Sequence, residues 1–249
     1  MDNFIKNKDI EIIEDLQYKN YRIIQRKDGF KFGIDAVLAV YFSERFIKPE
    51  HRVLDLGTGT GIIAILTAAR TEAREITGID IQEDLIDMAR RSVKLNNLDS
   101  RVYMVLDDIS ASFYVKSNYY DHVITNPPYK KSGTGILNPS DSKAISRHEI
   151  LCNLEDVISL SSKCLTPRGY LTMVNRPERL CDILELMRKY KIEPKSMRFV
   201  HSSLNKLSNL ILIRGIKGGM SFLKVEPPLY IFDENGNYTK EINNIYNRS

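Results

Sequence analysis

Short apolar runs alternate along this chain with longer stretches whose apolar positions recur every three or four residues. The runs are RVLDLG (52–57), EITGIDI (75–81), RVYMVLDD (101–108), YDHVIT (120–125) and GYLTMVNR (169–176). The helix-like stretches are GIIAILTAAR (61–70), EDLIDMARRSVKLNN (83–97), NLEDVISLSSKCL (153–165) and PERLCDILELMRKY (177–190). Pro177 suits a first helical turn, where its missing N–H costs nothing. PKSMRFVH (194–201) and SNLILIRGIKG (208–218) then follow each other with only a short link. Five strand-then-helix units and two closely spaced strands predict an α/β fold. The expected architecture is Rossmann-like: a seven-stranded, mostly parallel, doubly wound sheet with one antiparallel strand at the end. The stretch YRIIQRKDGFKFGIDAVLAVYF (21–42) reads largely as strand and turn. KKSGTGILNPSDSKAISRHE (130–149) is a long polar loop, and a loop of that length in a compact domain is usually functional or disordered. The chain shows no internal repeat.

With 249 residues, 43% of them apolar, the chain suits one large domain or a domain with an appendage. We divide it into an N-terminal segment, 1–50, and a main domain, 51–249, whose C-terminal part is basic. No run approaches the roughly 18 apolar residues of a membrane span. The N-terminus is charged throughout and reads as neither a signal nor a transit peptide, so the default location is cytoplasmic. Cys152, Cys164 and Cys181 form no CxxC pair, which argues against a zinc site or a disulfide framework. The net charge of +4 is uneven: residues 161–224 hold thirteen Lys/Arg against four acids, so they carry +9 and the remainder −5. Such asymmetry points to a polyanionic partner, although solvated helix faces would give the same count.

The turn in VLDLGTGTGIIAI lies between strand and helix, with Gly57, Gly59 and Gly61 permitting a sharp bend and a close ligand approach. The following helix points its free N–H groups at whatever sits there. A dinucleotide fingerprint would place its third glycine at position 62, where Ile62 stands, and no GKS/GKT follows for a triphosphate loop. Asp55 lies two residues before the first glycine, Asp80 ends the next strand, and Asp107-Asp108 end the one after. A carboxylate at Asp80 can accept both hydroxyls of a ribose, and the third pair can accept from an adenine amine. Any one of these acids alone reads equally well as a helix cap. Three at consecutive strand ends beside one glycine turn are harder to assign that way.

This set, D55-L-G-T-G-T-G61, G-I-D80 and D108-I, resembles the seven-stranded methyltransferases that use S-adenosylmethionine, and the resemblance covers residues 52–217. It implies that Gly57 and Gly59, with Thr58, pass under the cofactor's methionine part. Asp80, beside Ile81, would bind the ribose and Asp108 with Ile109 the adenine, Asp107 remaining an alternative. Asp55 would anchor the glycine turn and the cofactor's amine. No metal is expected.

In that topology the fourth strand ends beside the transferable methyl, and here it ends in Asn126-Pro127-Pro128-Tyr129. Proline fixes its own φ and drives the preceding residue into extended backbone, so the turn is stiff and Asn126 is held in direction. The Asn126 side-chain oxygen and the Pro127 carbonyl make two acceptors that can converge on one planar –NH2. Accepting both hydrogens out of plane favours the charge-bearing transition state, and alignment with the methyl donor adds a proximity effect. Tyr129 offers a face on which a planar substrate can stack. Without the glycine turn, the same four residues would read as a structural loop with Tyr129 in the core. The motif resembles that of methyltransferases acting on adenine in nucleic acid, on guanine in rRNA, or on the glutamine amide of release factors.

Release-factor methyltransferases carry a helical recognition domain before the glycine turn, whereas the residues preceding it here are too few. IIQRKDGFKFGIDAVLA (23–39) instead resembles bacterial tRNA adenine-N(6) methyltransferases that modify the adenosine beside the anticodon of valine tRNA. SRHEILCNLEDVI (146–158) and the tail KGGMSFLKVEPPLYIFDENGNYTKEI (217–242) resemble the same family. The resemblance implies that Phe32 to Asp35 close over the methionine end and that tRNA is the partner. Lys130, Lys131, Lys143 and Arg147 are candidates for holding phosphates. Arg147-His148-Glu149 reads as readily as helix capping. A non-catalytic RNA-binding protein on the same fold is the alternative from another class, and oligomeric state is not legible.

Overall fold

The computed structural model describes residues 4–28, 33–127 and 153–247. Seven long strands form the centre: β3 (Arg52–Leu56), β4 (Glu75–Asp80), β5 (Val102–Leu106), β6 (Tyr120–Thr125), β7 (Leu165–Asn175), β8 (Ile192–His201) and β9 (Ser208–Lys217). They lie in the order β8-β9-β7-β6-β3-β4-β5. β9 runs antiparallel to both its neighbours, and the other pairs among these seven are parallel. The expected doubly wound sheet with one antiparallel strand is therefore present. Among the described residues the sheet has nine strands, wider than expected. β10 (Lys224–Val225) and β11 (Leu229–Tyr230) both pair with β8 and cover its outer edge. Two residues each are too few to show an alternating pattern, yet they occupy backbone groups that an open edge would leave exposed.

Alternate residues supply the two faces, as the twofold period of a strand requires. Val53, Ile76, Ile124, Val174 and Leu212 face one core with α1 (Ile34–Glu44), α2 (Ile62–Arg70) and α3 (Glu83–Leu95). Leu54, Ile79, Val123, Leu171 and Ile213 face the other, with α4 (Leu154–Cys164) and α5 (Leu180–Lys189). Asn153 opens α4 with a capping box, accepting from Asp156 N while the Asp156 side chain accepts from Asn153 N.

Two expectations are corrected. Residues 34–44 are a helix rather than strand and turn. This helix buries Asp35 to Val40, Phe42 and Ser43, and packs against α2, β7 and β9. A segment apolar on nearly every side has no helical stripe, and its short apolar run mimics a strand. The third strand also lacks the helix expected after it. β5 is followed by a single 3-10 turn, Ile109–Ala111, before the chain enters β6.

A hairpin of β1 (Glu11–Asp15) and β2 (Arg22–Arg26) lies on α3. Ile24 N donates to Ser92 Oγ at 2.9 Å and Arg22 N to Asn96 Oδ1 at 2.9 Å, which satisfies the strand's outer edge. Arg91 grips Glu11 through both carboxylate oxygens, at 2.6 and 2.8 Å. That hydrogen bond holds the Glu11 carboxyl below its usual range, against the opposing effect of burial. Glu11→Gln should therefore lower stability by about 1–3 kcal/mol in urea unfolding at neutral pH. Because the folded pKa is depressed, the deficit should vanish as pH falls through the carboxylate range. An unchanged midpoint at neutral pH would show that the hairpin is held by other contacts.

Candidate active site

β3 lies between β4 and β6, where the strand order reverses, and doubly wound sheets place ligands in the crevice at such carboxyl ends. The chain leaves β3 through Gly57, Gly59 and Gly61, all with left-handed φ of +75°, +55° and +91°. A Cβ at Gly57 or Gly59 would meet nothing within 4 Å, so these two glycines face open space. Gly61 differs: a Cβ there would stand 2.9 Å from Met104 Cε and 3.2 Å from Ala89 Cβ. It lets α2 begin close against β5 and α3.

Thr58 is turned inward and is 3% exposed, its hydroxyl donating to Asp55 Oδ2. Gly57 N and Thr58 N both donate to Ile79 O, at 3.0 and 2.9 Å. Gly78 makes room for this packing, since a Cβ there would lie 2.6 Å from Thr58 Oγ1. A lone glycine inside the strand EITGID is the sequence signal of such a close approach.

Asp55 has no exposed surface. Its Oδ2 accepts from the Thr58 hydroxyl and from Ala64 N at 3.2 Å, while Oδ1 is buried without a hydrogen-bond partner. Burial pushes its carboxyl up to about 7, against the lowering effect of those two hydrogen bonds. Asp80, 1% exposed, accepts from Gly59 N at 2.9 Å and from Gln82 N at 3.0 Å. It ties the end of β4 to the glycine turn, and Ile81 beside it is partly buried. Asp107 is committed to its own connector, taking the Ser112 hydroxyl, Phe113 N and Tyr114 N. Asp108 caps the 3-10 turn that begins at Ile109, with Oδ1 accepting from Ser110 N and Oγ, both at 2.8 Å.

At the end of β6, the Thr125 hydroxyl donates to Leu56 O at 2.8 Å and fixes the two strand ends together. Asn126 follows, with Nδ2 donating to Asp35 Oδ2 of α1 at 3.2 Å, and Pro127 is buried. The strand-end acids, the glycine turn, Asn126 and Asp35 thus converge on one edge of the sheet. Phe32, Pro128, Tyr129, Lys130, Lys131, Lys143, Arg147, His148 and Glu149 lie outside the described residues. Among the thirteen C-terminal cations, Arg179, Arg188, Lys189 and Arg198 pair with Asp182, Glu193, Glu155 and Glu241. Arg214 is buried, with its guanidinium carbon 3.3 Å from the Phe46 ring centre. Among the described residues, no group of three or more His, Cys, Asp or Glu is placed to hold a metal ion.

Residues 33–191 match the family model for the methyltransferase small domain. Among curated relatives, the tRNA1(Val) (adenine(37)-N6)-methyltransferase of Porphyromonas gingivalis is 27% identical over 201 residues, 78% of each chain. Among solved structures, a predicted O-methyltransferase from Agrobacterium tumefaciens has a TM-score of 0.70 at 22% identity, covering 86% of this chain and 97% of its own. The geranyl diphosphate C-methyltransferase of Streptomyces coelicolor, in complex with S-adenosyl-L-homocysteine, gives 0.55 at 12% identity, covering 73% of this chain and 76% of its own. Both likenesses are of fold.

The raised Asp55 pKa contributes one component of the protein's pH response. A folded pKa above the unfolded one means that the neutral form is favoured on folding. Its contribution is complete below the unfolded value of about 3.8 and is lost as pH rises through about 7. The wild type should therefore lose up to roughly 4 kcal/mol relative to Asp55→Asn between pH 4 and pH 8. Parallel stability curves for the two proteins would show that Asp55 titrates normally.

Proposed function

The chain belongs to the methyltransferase small domain family, and from that premise we propose that it methylates the exocyclic amine of an adenosine in the anticodon loop of tRNA. It is an S-adenosylmethionine-dependent methyltransferase. The acceptor is supported by the name carried by the relative from Porphyromonas gingivalis. The observation that carries the reading is Asn126 at the end of β6, held beside a glycine cradle flanked by strand-end carboxylates.

The residues present fit the cofactor. Gly57 and Gly59 leave room that a Cβ would fill, and Asp55 Oδ1 is a buried acceptor without a partner. We assign Asp55 to the cofactor's ammonium group, Asp80 with Ile81 to the ribose, and Asp108 with Ile109 to the adenine. Asp107 is set aside because its carboxylate is filled by Ser112, Phe113 and Tyr114. Thr58 contributes backbone only, its hydroxyl being taken by Asp55. The 1–50 segment closes the methionine end through Phe32 to Asp35. When bound, S-adenosylmethionine supplies a methyl group on a positively charged sulfur.

The protein's own part is to hold the amine. Asn126 Oδ1 and the Pro127 carbonyl accept its two hydrogens, so the nitrogen can direct its lone pair along the line of attack. Preorganised acceptors of this kind stabilise charge as it develops and lose nothing to reorganisation. No strong base is required beforehand, because the amine proton becomes acidic only as the new N–C bond forms. Tyr129 stacks on the base, which has to be splayed from the loop, a conformation that single-stranded RNA reaches cheaply. Lys130, Lys131 and Arg147 meet the phosphates. A tRNA acceptor supports a cytoplasmic location. No helix among the described residues is long and apolar enough to cross a membrane.

Labelled cofactor offered to bulk tRNA and to a release factor tests the reading. Nucleoside mass spectrometry should find N6-methyladenosine in the tRNA; label on the protein would overturn the choice of acceptor. Asn126→Ala should lower kcat by about a hundredfold or more while cofactor affinity changes by less than about threefold. Asp80→Ala should instead weaken cofactor binding by about tenfold or more. Equal losses of affinity in both variants would undo the division of roles.

A further inference from the structure

A guanidinium is charged at neutral pH, so enclosing one without an anionic partner is costly, and buried Arg side chains are normally paired. Arg214 of β9 is 7% exposed and makes no hydrogen bond or ion pair among the described residues. Its Nε and Nη1 are enclosed without a partner, while Nη2 is not among the enclosed atoms. The residues level with it in the sheet repeat the pattern. Thr172 on β7 and Ser196 on β8 are 0% and 3% exposed, and both hydroxyl oxygens are buried without a partner. One row of the sheet thus holds four unpartnered polar atoms on three neighbouring side chains. They do not bond one another, so an interposed group is needed to satisfy them. We propose that this row is a binding site for a small carboxylate, gripped by the Arg214 guanidinium and bounded by Thr172 and Ser196. The inference does not depend on which molecule accepts the methyl group.

The surroundings fix both the grip and the charge of the ligand. The guanidinium carbon lies 3.3 Å from the Phe46 ring centre, with Tyr170 and Phe42 at 5.7 and 5.8 Å. Stacking on Phe46 takes one face of the group and leaves its edge, where the N–H groups point, for an acceptor. Either fork, Nη1 with Nη2 or Nε with Nη2, offers two parallel N–H bonds to a carboxylate, and both include the nitrogen that is not enclosed. Arg45, at the end of α1, lies 4.8 Å from the same ring, and its Nη2 donates to Glu226 Oε1 at 2.7 Å. Two guanidiniums against one carboxylate leave one positive charge over. Burial and then the Arg45 charge push the Arg214 guanidinium down to about 10, against the opposing effect of Glu226. His122 supplies no counter-charge, since burial keeps it neutral and its Nε2 donates to the Phe46 carbonyl at 2.8 Å. A water molecule would satisfy the hydroxyls but not the charge, and the second negative charge of a phosphate would be opposed by Glu226. At 7% exposure Arg214 is out of reach of an RNA backbone or a protein surface, so the ligand is a free small molecule. Bound there, it joins β9 to the end of α1, the helix whose first turn carries Asp35.

The test uses the full chain at neutral pH and fixed ionic strength, with sodium acetate as the probe and chloride and phosphate as the comparison anions. Acetate at about 10 mM should raise the melting temperature by about 2–4 °C over the same concentration of chloride. In protein carrying isotope-labelled arginine, the assigned Arg214 Nε–H resonance should move saturably with acetate and stay in place with chloride. Arg214→Lys keeps the charge but loses the fork, and should abolish the acetate-dependent rise. Thr172→Val, nearly the same in shape, should weaken acetate binding by about threefold or more. If Arg214→Lys does not fold, Thr172→Val and the wild-type resonance decide the matter. A stationary Arg214 resonance, an acetate effect that survives in Arg214→Lys, equal effects of chloride and acetate, or tighter binding of phosphate than of acetate would each overturn the proposal.

Discussion

A carboxylate with no surface of its own, Asp55, is the constraint around which the site is arranged. Burying an ionised acid is costly unless hydrogen bonds or a counter-charge compensate, and here the protein supplies donors to one oxygen only. Supplying them determines the shape of the turn. The Thr58 hydroxyl has to point down at Asp55, which requires left-handed backbone on either side and empty space at Gly78 beneath it. Asp80 draws Gly59 from the adjacent strand end. The turn is thus held from below by both acids, and its upper surface remains bare at Gly57 and Gly59. The cost of Asp55 and the openness of the cradle have one origin.

Much of the fold was legible because strands and helices carry different apolar periods, and the alternation from β3 to α5 shows both. α1 was misread for the same physical reason: a helix buried on nearly every side loses the polar stripe that would identify it. β10 and β11 escaped notice because two residues cannot display a period. In the site, Asp55 stood out beside the glycine turn, Asp80 and Asp108 by ending strands, and Asn126 by the two prolines that follow it. Their partners did not stand out. A pattern assigns side chains to faces and edges, but it does not say that Thr58 turns inward or that Asp35 reaches Asn126. Those contacts depend on rotamers and on elements brought together from distant parts of the chain. Gly78 was readable as a close approach, although its neighbour was not.

Charge is the property that changes most between sequence and structure. The C-terminal segment carries an excess of nine positive charges in sequence, yet four of its cations lie beside acids, one of them Glu155 before the segment and another Glu241 after it. Arg214 is withdrawn further: burial, with Arg45 close by, pushes its guanidinium down to about 10. The field available to a polyanion is therefore narrower than the composition implies. Arg198, in particular, is 12% exposed and ties β8 to Glu241 rather than facing outward.

The position of β9 has a consequence for how the molecule comes into being. It is the last of the long strands to leave the ribosome, yet it lies between β7 and β8. Until it emerges, β7 has no partner on its outer side and β8 has nowhere to attach, so the nascent chain carries two unsatisfied edges at once. α1, made early, rests partly on β9 and cannot settle fully before then. An early helix and a late strand thus complete one another, and a ribosome that stalls before β9 leaves a product with sticky borders and an unfinished cleft.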